Sequence, residues 1–233
     1  MSNKNLAVIP ARGGSTRLPN KNLYILGGKP LICWIVDAVV RSERFDTIVV
    51  STDSDDIYDA VRDMGVGRHI RPTEHATTKA TALNAMLDLM EYYNDLELNH
   101  DTFSFFLPTC PFVEHSQIAR GIDKLEHHRC DSVISMTEMQ DTVQLACVMQ
   151  EDHVLPIFDN LEAGLTNSKF IKKYYKPSGA FYMGYWDSIM KNRNFFKGDV
   201  RGVVIPPKNS VDIDTITDIQ LAEAILNEKH KSE

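Results

Sequence analysis

Cysteine is scarce in this chain: Cys33, Cys110, Cys130 and Cys147 are the four in 233 residues, and no two form a C-x-x-C pair. That spacing excludes a zinc ribbon or a disulfide framework and reads as reduced thiols, mostly in a core. No apolar run approaches the roughly 18 residues of a membrane-spanning helix. The opening Met1-Ser2-Asn3-Lys4-Asn5 lacks the basic-then-apolar pattern of a secretory leader. The expectation is a cytoplasmic protein. Positive charge is also in deficit, with 25 Lys and Arg against 32 Asp and Glu and a formal net charge of −7. With no basic face or arginine-rich arm, nucleic-acid binding is excluded. Internal repeats and low-complexity linkers are missing, as are the P-loop and the G-x-G-x-x-G dinucleotide fingerprint. What remains is ordinary globular composition, 43% hydrophobic and 24% charged, at a length that suits one large domain over residues 1–233.

Cations are nevertheless concentrated in one place. Leu6-Ala7-Val8-Ile9 reads as a buried strand that Pro10 ends. The following segment, Ala11-Arg12-Gly13-Gly14-Ser15-Thr16-Arg17-Leu18-Pro19-Asn20-Lys21-Asn22, packs two glycines, a serine and three cations together. Glycines let backbone N–H groups approach a polyanion, and Arg12, Arg17 and Lys21 neutralise its charge. A solvated surface turn is the bland alternative. In an acidic chain this clustering favours a small anionic ligand, and a loop directly after a first strand is a place to hold phosphates.

Strand and helix patterns then alternate. Residues 30–42 are apolar at helical spacing behind Pro30, and Thr47-Ile48-Val49-Val50-Ser51-Thr52 is a β-branched run suited to a strand buried on both faces. Helices are expected at 53–64, 79–93 and 114–128, with strands at 102–107 and 132–136. This rhythm implies an α/β fold with a mostly parallel sheet and helices on both faces. Ligands of such sheets bind at the carboxyl ends of the strands, where the Arg12 loop and the Pro108-Thr109-Cys110-Pro111 turn both fall. From about 137 to 177 the rhythm breaks into an excursion of hairpin and loop, expected to cover the site or meet a second subunit. A strand at 179–183, another at 202–205 and a helix at 214–229 complete the chain.

Val211-Asp212-Ile213-Asp214-Thr215 is the second chemical landmark. Two carboxylates two residues apart on extended backbone point the same way. With phosphate oxygens and water supplying the remaining ligands, they suit octahedral Mg²⁺. The alternative is that Asp214 caps the last helix and Asp212 is a solvated charge.

Taken in order, these motifs resemble the acylneuraminate cytidylyltransferase family. They are Ile9 to Ser15 with Lys21-Asn22, Gly28-Lys29-Pro30-Leu31, Val49 to Asp53, Arg71-Pro72-x-Glu74, Pro108-Thr109-x-Pro111, Ser178 to Tyr182, and Asp212 to Thr215. The resemblance implies a Rossmann-like three-layer nucleotidyltransferase fold and a homodimer joined at the excursion. It implies CTP and a nonulosonic acid as substrates, with the CMP-sugar and pyrophosphate as products, in the service of cell-surface polysaccharide. By that resemblance Arg12 and Lys21 hold the triphosphate, the Ala11 to Ser15 backbone cradles it, Asn22 and Arg71 contact the nucleoside, and Asp212 with Asp214 binds Mg²⁺. Asp214 is also a candidate to take the proton of the sugar hydroxyl. Arg71 otherwise reads as an exposed strand-end charge.

Departures fall on the sugar side. Leu107 stands where many sialic acid enzymes carry Gln, Pro111-Phe112-Val113 replaces Pro-Leu-Arg, and Ser168-Lys169 replaces Arg-Gln. Loss of hydrogen-bonding groups points to a different sugar. Residues 168 and 111–112 resemble the pseudaminic acid branch, and Thr16 to Pro19 resembles the 3-deoxy-manno-octulosonate enzymes. Lys169 is a candidate for the sugar carboxylate, against the reading of a solvated lysine. Thr109, Tyr182, Phe195 and Phe196 are candidates for the acceptor pocket, against plain core packing for the phenylalanines. Pseudaminate, legionaminate and octulosonate stand as alternative acceptors. A catalytically silent nucleotide-binding homologue is the alternative of a different class.

Overall fold

The computed structural model describes residues 4–15, 17–70, 82–98, 100–167 and 172–232. In chain order the elements are β1 (Asn5–Pro10), β2 (Ile25–Leu26), β3 (Lys29–Pro30), α1 (Leu31–Arg41), β4 (Thr47–Thr52), α2 (Asp55–Asp59), β5 (Gly67–Ile70) and α3 (Ala82–Asp95). They continue as β6 (Thr102–Phe106), α4 (His115–His128), β7 (Ser132–Glu138), β8 (Cys147–Gln150), β9 (His153–Pro156), β10 (Tyr175–Tyr185), α5 (Trp186–Asn192), β11 (Val200–Val204) and α6 (Ile216–Ser232).

The apolar run of β1 lies at the heart of a seven-stranded sheet of order β11-β7-β10-β6-β1-β4-β5. Its alternating side chains feed both faces. Ala7 and Ile9 join a cluster with Ile32, Ile35 and Val39 of α1 and Ile118, Ile122 and Leu125 of α4. Leu6 and Val8 join a second cluster with Met86 and Met90 of α3, Phe103, Phe105 and Trp186. Strands β4 and β6 both pair parallel to β1, one on each side. The chain therefore reverses its winding at β1, and the crevice that such a reversal opens lies at the β1 carboxyl end. A third cluster, Leu26, Leu31, Phe112, Ile213, Ile219, Ala222 and Leu226, packs α6 beneath that crevice.

The mostly parallel sheet expected from the alternation is present, with one exception. Strand β10 runs antiparallel to β6 and β7. It is also longer than the expected 179–183, running from Tyr175 to Tyr185. The strands β2 and β3 and the helix α5 have no counterpart in the sequence reading, and β5 was implied there only by Arg71 as a strand-end charge. The helix expected over 53–64 ends at Asp59; a 3-10 turn follows at Arg62–Met64, and Gly65 stops it at φ 76°. Its cap is Ser54, whose Oγ accepts from Ile57 N–H at 3.4 Å. The excursion contains the expected hairpin, β8 paired with β9. Cys33, Cys110 and Cys130 are buried, Cys147 is half-buried, and all are unpaired. Among the described residues no helix is long and apolar enough to cross a membrane.

Candidate active site

The cationic loop leaves β1 tied to its neighbours by hydrogen bonds. Ala11 is buried and donates its N–H to Ser51 O at 2.9 Å, continuing the sheet one residue past Pro10. Gly13 donates its N–H to Asp53 Oδ1 at 2.7 Å, so this amide is already engaged by a carboxylate. The Gly14 and Ser15 N–H groups have no acceptor on another described residue. Asn22 is buried and closes the loop by donating Nδ2–H to Arg12 O at 3.0 Å. Its Oδ1 is buried with no hydrogen-bond partner, an acceptor held ready at the edge of the cleft.

The second half of the site arrives from the other end of the chain. Asp212 and Asp214 do not end a strand; they lie on irregular backbone after a 3-10 turn at Pro207–Asn209. The alternation expected of an extended segment still holds, because Ile213 between them is buried in the third cluster. Ile213 donates its N–H to Thr109 O at 2.8 Å, which ties this loop to the turn after β6. Lys21 then bridges the two halves: its Nζ donates to Ile213 O and to Asp214 Oδ1, each at 2.9 Å. Arg17 Nη1 meets the other oxygen, Asp214 Oδ2, at 2.9 Å. Asp214 is thus clamped by two cations, whereas Arg12 has no ion-pair partner among the described residues. Asp214 does not cap α6. Asp218, in the first turn of α6, reaches back instead, with Oδ2 accepting from the N–H groups of Asp214 and Thr215 at 3.0 and 2.7 Å.

Asp212 opens into the cleft but is flanked by protein. Partial loss of hydration pushes its carboxyl above the ordinary aspartate value, opposed by a hydrogen bond from Thr109 and reinforced by the neighbouring Asp214 charge. Gly179 lines the same spot at φ 85°; a Cβ there would lie 3.2 Å from Leu107 Cδ1, 3.3 Å from Cys110 Sγ and 3.8 Å from Asp212 Oδ2. The backbone reaches this position through an irregularity in β10 between Pro177 and Tyr182. A buried hydroxyl pair holds the irregularity in place. Ser178 Oγ donates to Ser135 Oγ at 2.7 Å, and Ser135 Oγ accepts from Phe181 N–H at 2.9 Å.

The acceptor-side candidates separate. Tyr182 is half-buried beside Phe105 and Phe195, with ring centroids 5.9 and 5.7 Å away. Burial raises its phenol above the ordinary tyrosine value, with Cys110 and Asp212 adding to the rise. Phe195 is buried in the second cluster, and Phe196 is 56% exposed with its ring edge-on to Tyr182. Phe112 and Val113, read from sequence as sugar-side departures, are packing residues: both are 4% exposed, in the third and first clusters respectively. Arg71, Ser168 and Lys169 lie outside the described residues. The sequence reading missed two contacts of the site: Arg17 was read as one of three anion-neutralising loop cations, not as a partner of Asp214, and Asp53 as the end of a motif, not as the acceptor of the Gly13 N–H.

Comparison with known proteins gives the family. Residues 6–171 match the family described as cytidylyltransferase. The N-acylneuraminate cytidylyltransferase of Escherichia coli O18:K1:H7 is 30% identical over 234 residues, covering 99% of this chain and 54% of that protein. The chain therefore spans about half the length of that relative. A pseudaminic acid cytidylyltransferase of Campylobacter jejuni is 27% identical over 230 residues, covering 98% of this chain and 99% of that protein. Among solved structures, a CMP:2-keto-3-deoxy-manno-octonic acid synthetase complexed with CTP aligns with a TM-score of 0.70 over 97% of this chain and 99% of that one. At 16% identity, that likeness is one of fold. The family match runs from β1 through the cationic loop, the winding reversal and the turn at Thr109, and on these grounds the chain belongs to the cytidylyltransferase family.

Proposed function

We propose that the protein transfers CMP from CTP to the anomeric hydroxyl of a nonulosonic acid of the N-acylneuraminate type, releasing pyrophosphate. The observation that carries this reading is the meeting of the Arg12–Arg17–Lys21 loop with Asp212 and Asp214 at the carboxyl end of β1. Arg12, with no ion-pair partner among the described residues, receives the triphosphate together with the Gly14 and Ser15 amides. Asn22 Oδ1 is placed to accept from the nucleoside. Lys21 and Arg17 pass from Asp214 to phosphate oxygens as CTP enters, which releases the carboxylate for a metal.

Asp212 and Asp214 form a hard oxygen pair, and that donor chemistry fits Mg²⁺, which takes few protein carboxylates alongside phosphate oxygens and water. When bound there, Mg²⁺ supplies neutralisation of charge on the α-phosphoryl and pyrophosphate oxygens. The residues of the chain do the positioning. The sugar hydroxyl oxygen bonds to the α-phosphorus, the bond from that phosphorus to the pyrophosphate oxygen breaks, and the hydroxyl proton leaves to a cleft carboxylate or water. Cations already in place stabilise the charge that builds on the leaving group more than they stabilise bound CTP. The reading also includes a homodimer joined through the 137–177 excursion. It includes a cytoplasmic location, where the unpaired cysteines stay reduced.

The test is pyrophosphate release with CTP, Mg²⁺ and a panel of ulosonic acids. Turnover that chelation of Mg²⁺ abolishes is expected, and Asp214→Asn should lower kcat at least about a hundredfold while the melting temperature is kept. CTP binding with no turnover on any acceptor overturns the reaction, and a preference for UTP overturns the base.

A further inference from the structure

Three consecutive residues after β1 are tied down one after another. Ala11 donates its N–H to Ser51 O at 2.9 Å, Arg12 O accepts from Asn22 Nδ2 at 3.0 Å, and Gly13 donates its N–H to Asp53 Oδ1 at 2.7 Å. The ties end there. Gly14 and Ser15, whose amides have no acceptor on another described residue, come directly after. Packing changes at the same point. A Cβ on Gly13 would lie 3.2 Å from Ser54 Cβ and 3.6 Å from Asp53 Oδ1, whereas one on Gly14 would meet no described atom within 4 Å. The loop is therefore pressed against the segment that follows β4 as far as Gly13 and stands clear of it from Gly14 onward. Asp53 itself is exposed and does not cap α2, a task that Ser54 performs. Among the described residues, the bond from Gly13 is the one hydrogen bond its side chain makes. A carboxylate at this place repels the polyanion that the loop is built to take, so what it returns is geometric.

We propose that Asp53 is a positioning residue for the nucleotide: its carboxylate oxygen fixes Gly13, and so presets the Gly14 and Ser15 amides and Arg12 for the triphosphate. This rests on the cytidylyltransferase reading above and adds the residue that sets its phosphate loop. Two adjacent glycines have more backbone freedom to lose than any other pair. A tie at the first of them makes part of that loss fall on folding and not on binding, which tightens the complex. The acceptor oxygen does this work, and the negative charge that comes with it is a cost.

The experiment measures binding of CTP with Mg²⁺ by titration calorimetry, and of inorganic tripolyphosphate by competition, in wild type, Asp53→Ala and Asp53→Asn. Asp53→Ala removes the acceptor and should weaken both ligands about tenfold or more, the scale of a hydrogen bond to a charged group. Its kcat at saturating CTP should stay within about threefold of wild type, because the loss is one of binding. Asp53→Asn keeps an acceptor oxygen and drops the charge, so it should bind CTP at least as tightly as wild type. The position is exposed, and a melting temperature for each variant confirms folded protein. Unchanged or tighter CTP binding by Asp53→Ala would make the carboxylate a competitor of the phosphates and overturns the proposal. Equal weakening by both variants overturns it too, since charge and not the acceptor would then be the feature required. A wild-type protein that binds neither ligand overturns the underlying reading and the positioning role with it, whereas wild-type binding that all variants share overturns the positioning role alone.

Discussion

Lys21 touches both halves of the site at once, through Ile213 O and Asp214 Oδ1. At the residue scale its importance was legible because a cation cluster in an acidic chain is an unusual arrangement that charge counting alone reveals. The Asp212–Asp214 pair stood out for a different reason, two carboxylates two residues apart. Phe112 was misread because its neighbours in sequence border the cleft, whereas its side chain drops into the cluster beneath it; only the path of the backbone decides between those two directions. Gly179 appeared in the sequence as one motif glycine among several, and its role is now specific. It holds φ 85° with Leu107, Cys110 and Asp212 arranged around the space a Cβ would take. A residue with a Cβ in left-handed backbone costs roughly 1–2 kcal/mol, and here the methyl also displaces its neighbours. Gly179→Ala should lower stability by at least about that amount and reduce kcat/KM beyond the loss of folded protein. Equilibrium denaturation paired with turnover per folded molecule tests this. Wild-type values in both would mean that the Gly179 conformation is not required.

Among the elements, β4 announced itself through an unbroken β-branched run, while β5 did not. Gly67-Arg68-His69-Ile70 contains one aliphatic residue, and its strand conformation comes from pairing with β4, a long-range contact that local pattern cannot express. The direction of β10 was likewise invisible. Strand polarity follows from the route of the chain through the excursion, not from side-chain alternation. Strand β7, which β10 joins, is anchored at its start by Asp131. The Asp131 carboxylate accepts from Ser188 Oγ at 2.7 Å and from Asp199 N–H at 2.8 Å, linking β7 to α5 and to the approach of β11. Those hydrogen bonds, the Ser188 one first, hold the Asp131 carboxyl below its ordinary value. A carboxylate depressed in the folded state contributes stability above its unfolded pKa of about 3.9, and that contribution disappears as pH falls through the folded value. Asp131→Asn should therefore cost about 1 kcal/mol at pH 6 and lose less stability than wild type between pH 5 and pH 3. Thermal melts across that interval would expose parallel pH profiles, the outcome that excludes Asp131 from the acid response.

For the whole molecule, the break in rhythm read at about 137 falls beside the end of β7 at Glu138, and a stretch without helical or strand periodicity adds no layer to the sheet. What the excursion meets was legible only as chemistry. An isolated two-stranded ribbon is marginal in water, yet β8–β9 exposes Val148, Met149, Val154, Leu155 and Ile157, each between 45% and 62% accessible. Contiguous apolar side chains on a ribbon are the mark of a surface that is covered in use. A second copy of the chain is the proposed cover, since a twofold axis lets one self-complementary patch satisfy both ribbons. The ribbon also connects to the chemistry: the chain passes from the excursion straight into β10, which carries Gly179 and Tyr182. In the proposed dimer, docking the ribbon would steady β10, the strand that carries the proposed acceptor-side residue Tyr182. Light scattering at micromolar concentration should give twice the monomer mass, and Met149→Asp combined with Val154→Asp should return the protein to monomer mass. Because the two substitutions lie at exposed positions, the far-UV spectrum should be unchanged while kcat/KM for the acceptor falls at least about tenfold, the scale on which a small misplacement of site residues acts. A wild-type protein that stays monomeric, or a charged variant that stays dimeric, would place the contact elsewhere; a monomeric variant with full activity would show that the acceptor side forms without it.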